Sequence, residues 1–251
     1  MICGLTCLNI RLIEFNFFTL MKDKGVVIVT RTPLPKEVKT NFVPPLTMEE
    51  AAELHASLLF DLAERLAIEV HAHPYIYFDP VDARPDLEHV FRHASFDFKL
   101  RPAVGNKYSD RVANAIESVF SEGNRRIVFA DVDAALLPIN IFKHTYELLN
   151  LDDDVVVLAP DPTDHLNLIG LKKPHLDLFD SLNSGNPFET AMKIASPLNS
   201  MLFTLDRHDN MRDVNGLRML LDRFEKNGQN LEHARRVSEF LHTIKDRYGK
   251  I

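Results

Sequence analysis

Residues 25–50 read GVVIVTRTPLPKEVKTNFVPPLTMEE, and their reading decides the fold. Gly25 to Thr30 is a short β-branched apolar run punctuated by Pro33 and Pro35, the pattern of a buried strand. Thr47-Met-Glu-Glu50 is a capping box. Ala51, Leu54, Leu58, Leu62 and Leu66 follow it on one helical face, so a strand, a basic proline-rich loop and an amphipathic helix are expected in that order.

The same alternation continues along the chain. Ile68 to Phe78 reads as a strand, and residues 79–108 are polar with a short helix around Leu87 to His93. Ser109 is placed to cap a helix that runs to Glu122 and stops at Gly123. Arg126 to Ala130 is another buried strand, and Pro138 opens a helix to Leu149. Val155–Leu158, Leu166–Leu171 and Asn199–Leu205 read as further strands, and helices are expected over Gly216–Lys226 and Leu231–Tyr248. Strands alternating with helices predict an α/β domain with a mostly parallel sheet and helices on both faces, with ligands at the C-terminal strand ends.

Composition narrows the class. The chain has 251 residues, a net charge of −7, and 45% hydrophobic and 26% charged residues, which is the profile of a soluble globular protein. Negative charge argues against a chain-wide nucleic-acid surface. Cys3 and Cys7 are the only cysteines, so the body of the chain holds no disulfide framework or cysteine site, and a cytoplasmic setting is expected. Arg11 and Glu14 interrupt the apolar first twenty residues, so no membrane span is expected there. Residues 1–20 are read as an appendage ahead of Met21, outside the core. Leu231, Ala234, Val237, Leu241 and Ile244 line one face of the closing helix at 229–251, for packing on the core or on a second copy in a homodimer.

Asp131-Val132-Asp133 directly follows a buried strand. Alternate carboxylates at a strand end suit a hard cation such as Mg²⁺ or Mn²⁺, which would bridge phosphates. Arg31 and Lys39, in the loop after the first strand, and Arg111, early in a helix, are expected to contact phosphate. His71 with His73, and His89 with His93, lack the Glu of a helical H-E-x-x-H zinc site. No Walker A, G-x-G-x-x-G or G-x-S-x-G motif follows a strand. Nine glycines are about half the usual share of roughly 7%, low for a phosphate-binding fold.

Five segments, in order, carry a resemblance. They are VVIVTRTPLPKEVKTNFVPPLTMEEAAELHASLL, SDRVANAIESVF, RRIVFADVDAALLP, DVVVLAP followed by LIGLKKPHLDLF, and RDVNGLRML. From about Gly25 to Leu221 the chain resembles glycosyltransferase-like proteins of the nucleotide-diphospho-sugar transferase superfamily, relatives of 2-phospholactate guanylyltransferase. The resemblance implies a three-layer α/β/α sandwich of the GT-A type over residues 21–228. It also implies a transferase that uses a nucleotide or nucleotide-sugar with Mg²⁺ or Mn²⁺, by nucleotidyl or glycosyl transfer, or else a non-catalytic relative that binds without turnover.

Carried over by position, Pro35, Val38, Lys39 and Thr40 keep the family's first loop, while Lys36 replaces a glycine and Asn41 an arginine. Arg111 is kept and Ser109 replaces a glycine. Asp133 falls on the metal-binding aspartate and Asp131 on a glycine. Thr163-Asp164-His165-Leu166 stands for D-G-G-Y, with Leu168-Ile169-Gly170 kept behind it. Asp213 and Asn215 fall on a late acidic motif, where the amide of Asn215 brings no negative charge to a cation. The resemblance thus implies Asp133 and Lys39 as catalytic residues, Lys39 and Arg111 on the nucleotide, and Asp133, Asp213 and Asn215 around the metal, to which the strand-end and loop patterns add Asp131 at the metal and Arg31 on the nucleotide.

Overall fold

The computed structural model describes residues 23–229, 231 and 234–248, so the reading of residues 1–20 lies outside the described residues. Seven strands form one sheet in the order β3-β2-β1-β4-β6-β5-β7. They are β1 Lys24–Arg31, β2 His73–Asp79, β3 Lys99–Pro102, β4 Arg126–Ala130, β5 Val155–Pro160, β6 Leu166–Leu171 and β7 Met201–Thr204. Only β6 runs against the others, pairing antiparallel with β4 and β5. The helices are α1 Met48–Glu69, α2 Arg84–Val90, α3 Tyr108–Ser121, α4 Ile139–Leu148, α5 Pro187–Ala195, α6 Val214–Lys226 and α7 Arg235–Tyr248.

Strand alternation divides the interior into two cores. Val26 and Ile28 of β1 point into one, with α1, α2, α4, α6 and α7. Val27 and Val29 point into the other, with α3, α5 and the 3-10 segment Leu176–Asn183. Both faces of β1 are therefore dry, as a central parallel strand requires. The molecule is the three-layer α/β/α sandwich with a mostly parallel sheet expected from the sequence.

Some boundaries differ from the sequence reading. Ile68 and Glu69 finish α1, with Ile68 exposed, and β2 starts at His73, so an apolar residue at the end of a helix reads as the start of the strand. Lys99–Pro102 is an edge strand that its exposed, basic composition hides. Ser109 does not cap α3. It lies one residue inside the helix, almost fully buried, where its hydroxyl accepts a hydrogen bond from Asn183 (2.6 Å). The described part of the closing helix begins at Arg235, not Leu231. Its apolar stripe is covered by its own chain, since Val237, Phe240, Leu241 and Ile244 are buried in the α1 core. Among the described residues no helix is long and apolar enough to cross a membrane.

Backbone geometry explains part of the glycine shortage. Lys36 (φ +71°) and Asp164 (φ +66°) are left-handed, and both stand where the resembled family has glycine. The conformation survives although the residue that adopts it freely does not. Asp164 is held by an ion pair from Arg207 and by the Phe188 amide, which donates to its carbonyl (2.9 Å). Lys36 is exposed. A left-handed non-glycine residue costs roughly 1–2 kcal/mol, and added unfolded-state freedom takes back about 0.4–1 kcal/mol on substitution by glycine. Lys36→Gly should therefore raise the urea-unfolding free energy by about 0.5–1 kcal/mol, whereas Lys36→Ala should leave it unchanged.

One buried carboxylate holds the start of α7. Asp61, fully buried on α1, accepts the backbone amides of Arg236 (3.2 Å) and Val237 (2.9 Å) at the start of α7. Burial pushes its carboxyl up to about 6, against the downward pull of those two amides. A raised folded-state value stabilises the protein fully below the unfolded value near 4, and that contribution is lost as pH rises through about 6. Urea titrations from pH 4 to pH 7 should show the wild type losing up to about 3 kcal/mol relative to Asp61→Asn, whose own stability lacks this slope. Parallel pH profiles for the two proteins would refute it.

Candidate functional site

The sheet changes direction of growth at β1, whose neighbours β2 and β4 lie on opposite sides. Outside the C-terminal ends of such strands the following loops part and leave a crevice. Here a cleft of about 430 Å³ opens there, lined by Arg31 after β1, Asp79 of β2, and Asp131 and Asp133 after β4. Lys39, Arg111, Arg212, Glu37, Tyr108 and His55 complete its polar lining. Four cationic side chains thus face four carboxylates, and the cleft is balanced in charge.

Lys39 is the hub. It is left-handed (φ +51°) and starts the 3-10 turn Thr40–Phe42, whose Phe42 is fully buried. Its ammonium reaches inward over the Phe42 ring (5.2 Å), donates to the Met211 carbonyl (3.0 Å) and pairs with the Asp133 carboxylate. Only 7% of the Lys39 side chain and 16% of the Asp133 side chain remain exposed, so the pair is screened little by water. Burial pushes the Asp133 carboxyl up, Lys39 pulls it back, and the neighbouring Asp131 pushes it up again.

The turn that carries Asp133 is fixed at both ends. Asp131 accepts the Asp133 amide (2.9 Å) and so caps the 3-10 helix Val132–Leu136. At its far end the buried Arg65 guanidinium of α1 donates to the carbonyls of Ala135 and Leu137. Arg212 lies 3.6 Å from Asp131 and 3.4 Å from Asp161, linking the β4 end to the β5 end. Asp161 is buried. Against the upward push of burial, hydrogen bonds from the Thr163 hydroxyl and the His165 and Thr163 amides hold its carboxyl below the ordinary value.

His55 and Tyr108 line the cleft wall, each in one protonation state. Thr30 donates its hydroxyl to the Arg31 carbonyl (2.9 Å), so the His55 ring 2.7 Å away donates to it through Nε2. Burial, then the charge of Lys39, lowers His55 to about 3, and the ring is neutral. Tyr108 is pushed well above its ordinary value by burial and then by Asp131 and Asp133, so its phenol keeps its proton. Arg111 lies 3.6 Å from Asp79. Gly105 permits this approach of α3, because a Cβ there would come within 2.7 Å of Asp110 Cβ.

Of the residues singled out from sequence, Arg31, Lys39, Arg111, Asp131 and Asp133 line the one cleft. Arg31 sits at its mouth, half exposed and paired with Glu37 (2.6 Å). Asp213 and Asn215 do not line it. Asp213 caps α6 by accepting the Gly216 amide (3.0 Å), and Asn215 accepts from Arg218 (3.1 Å). Sequence reasoning missed Asp79, His55, Tyr108 and Arg212. Asp79 had a signal, a carboxylate at the end of a readable strand, and Arg212 directly precedes the Asp213 motif. His55 lies mid-helix and Tyr108 in an ambiguous segment, and neither had one.

Among the described residues no group of three or more His, Cys, Asp or Glu side chains could hold a metal ion alone. Asp131 and Asp133 provide two hard carboxylates two residues apart, which fits Mg²⁺ or Mn²⁺ shared with ligand phosphates, since Mg²⁺ commonly uses one or two carboxylates plus phosphate.

No protein-family model matches the chain, and no curated protein matches it by sequence. Solved structures do. A protein of Desulfovibrio desulfuricans G20 described as a candidate nucleotide-diphospho-sugar transferase superposes with a TM-score of 0.74 at 17% identity, covering 90% of this chain and 98% of that one. The 4-diphosphocytidyl-2C-methyl-D-erythritol synthase of Anaerococcus prevotii gives 0.52 at 7% identity, over 81% of this chain and 99% of that one. A nucleotidyl transferase of Methanothermobacter gives 0.52 at 11% identity, over 82% of this chain and 99% of that one. The chain therefore has the nucleotide-diphospho-sugar transferase fold.

Proposed function

We propose that the cleft binds the phosphates of a nucleotide or nucleotide-sugar, and that the protein is a transferase of nucleotidyl or glycosyl groups. The observation that carries this reading is the convergence of Lys39, Arg111 and Arg212 on one cleft at the point where the sheet changes its direction of growth. Likeness to structures named as nucleotide-diphospho-sugar and nucleotidyl transferases supports the same ligand class.

In this reading the guanidinium groups of Arg111 and Arg212 offer paired donors that fit phosphate oxygens. Arg31 meets the ligand at the mouth. The Lys39 ammonium, aimed from a buried stem, opposes negative charge growing on the leaving phosphate oxygen. Asp131 and Asp133 would hold Mg²⁺ or Mn²⁺ beside the phosphates, and a bound ion would neutralise phosphate charge. The Tyr108 phenol keeps its proton and donates a hydrogen bond to the Val29 carbonyl (3.4 Å). A second reading, binding without turnover, is favoured by Asp213 and Asn215, whose polar groups are engaged on α6 outside the cleft lining.

Calorimetric titration with nucleoside triphosphates and nucleotide-sugars, with and without Mn²⁺, tests both. Arg111→Ala and Arg212→Ala should each weaken binding by about 10- to 100-fold, the loss of a charge-assisted phosphate contact. A panel in which nothing binds would sink the proposal. Binding without release of pyrophosphate or nucleoside diphosphate, across a range of acceptors, would favour the second reading.

A further inference from the structure

Both carboxylates offered to a cation are already committed. The Lys39 ammonium sits on Asp133, and Asp131 spends one oxygen on the Asp133 amide while its other lies 3.6 Å from Arg212. The lysine side chain is 93% buried, with the Asp133 carboxylate and the Met211 carbonyl as its oxygen partners. An ion that takes the Asp133 oxygen held by Lys39 must displace a buried ammonium, and one that takes the other oxygen of that carboxylate lies beside the ammonium charge; both are unfavourable. A ligand phosphate changes this. It enters the cleft that Lys39 shares with Arg111 and Arg212, and it offers the ammonium a replacement anion. The four-carbon stem of lysine is flexible enough to exchange one oxygen partner for another nearby.

We infer that Lys39 closes Asp133 to divalent cations until an anionic ligand draws its ammonium away, so that a divalent ion enters this cleft only together with phosphate. The inference rests on the phosphate-binding reading and adds an order to it: anion with or before metal, never metal alone. Charge supports the order. The cleft alone is balanced at four cations and four carboxylates, so a lone divalent ion adds uncompensated positive charge. The diphosphate of a nucleotide-sugar, with its two negative charges, and a divalent ion together add none.

The test is Mn²⁺ titration of the full chain, read by the electron paramagnetic resonance of free Mn²⁺, with no nucleotide present. Wild type should bind no Mn²⁺ up to about 1 mM, and Lys39→Met should bind it at least about tenfold more tightly, since its Asp133 is unpaired. Adding Asp133→Asn to that variant should abolish the gain. Equal Mn²⁺ affinity in wild type and Lys39→Met overturns the inference. Should Lys39→Met fail to fold, ¹⁵N-lysine spectra of wild type decide it. Pyrophosphate in EDTA should move the Lys39 ammonium resonance and Mg²⁺ alone should not; movement by Mg²⁺ alone overturns the inference. If pyrophosphate and nucleotides bind under no condition, the phosphate reading fails, while the Mn²⁺ comparison still decides whether Lys39 closes Asp133.

Discussion

The ammonium of Lys39 is buried against Asp133, and three separate parts of the chain meet there. Lys39 belongs to the loop after β1, Asp133 to the turn after β4, and the Met211 carbonyl to the segment ahead of α6. Asn41 adds a second tie to that segment, donating to the Arg212 carbonyl. A buried charge tolerates few arrangements, because each alternative leaves an ion without its partner. The pair therefore fixes the spacing of the walls of the cleft. It also sets where Arg212 emerges, one residue beyond the carbonyl that Lys39 holds.

Behind that pair stands α1. Its buried polar side chains each serve a different neighbour. His55 holds the Thr30 hydroxyl at the end of β1, Asp61 accepts two amides at the start of α7, and Arg65 takes two carbonyls of the turn that carries Asp133. Groups of this kind cost free energy in a dry interior unless they are satisfied. Here Asp61 and Arg65 satisfy backbone groups of α7 and of the turn after β4, and His55 satisfies a hydroxyl at the end of β1. One helix thus organises the β1 end, the β4 end and the C-terminal helix together. Changes on its buried face should be felt in the cleft without touching ligand.

Much of this was legible in the sequence, and the reasons differ by element. β1, β4, β5 and β6 were readable because central strands buried on both faces are short, continuous apolar runs. The start of α1 was readable because its capping box is local chemistry, and both of its hydrogen bonds are present. β3 was not, since Lys99 and Arg101 face solvent and Glu122, as an edge strand allows. The cleft was half legible. Arg31, Lys39, Arg111, Asp131 and Asp133 sit at strand and helix ends that the alternation itself predicts. Asp213 and Asn215 came from motif position, and the structure uses them at the start of α6. Arg212 escaped because its importance lies in reaching Asp131 and Asp161, contacts that no local pattern announces.

The shortage of glycine can now be given a physical form. A phosphate loop uses glycine for two different properties, a left-handed backbone and the absence of a side chain. At Lys36 and Asp164 this protein keeps the first and gives up the second. The added side chains are not inert. Asp164 is paired with Arg207, which also donates to the Asp161 carbonyl (2.7 Å) and so braces the loop next to Arg212. The loop is stiffened by ionic contacts where a glycine loop would bring bare backbone to a phosphate. Neither Lys36 nor Asp164 lines the cleft, whose charged lining comes from Arg31, Glu37, Lys39, Asp79, Arg111, Asp131, Asp133 and Arg212. Each of its inner cations already faces a carboxylate, Lys39 on Asp133, Arg111 near Asp79 and Arg212 near Asp131, so under the proposed phosphate reading a ligand acts on the site by competing for these pairings.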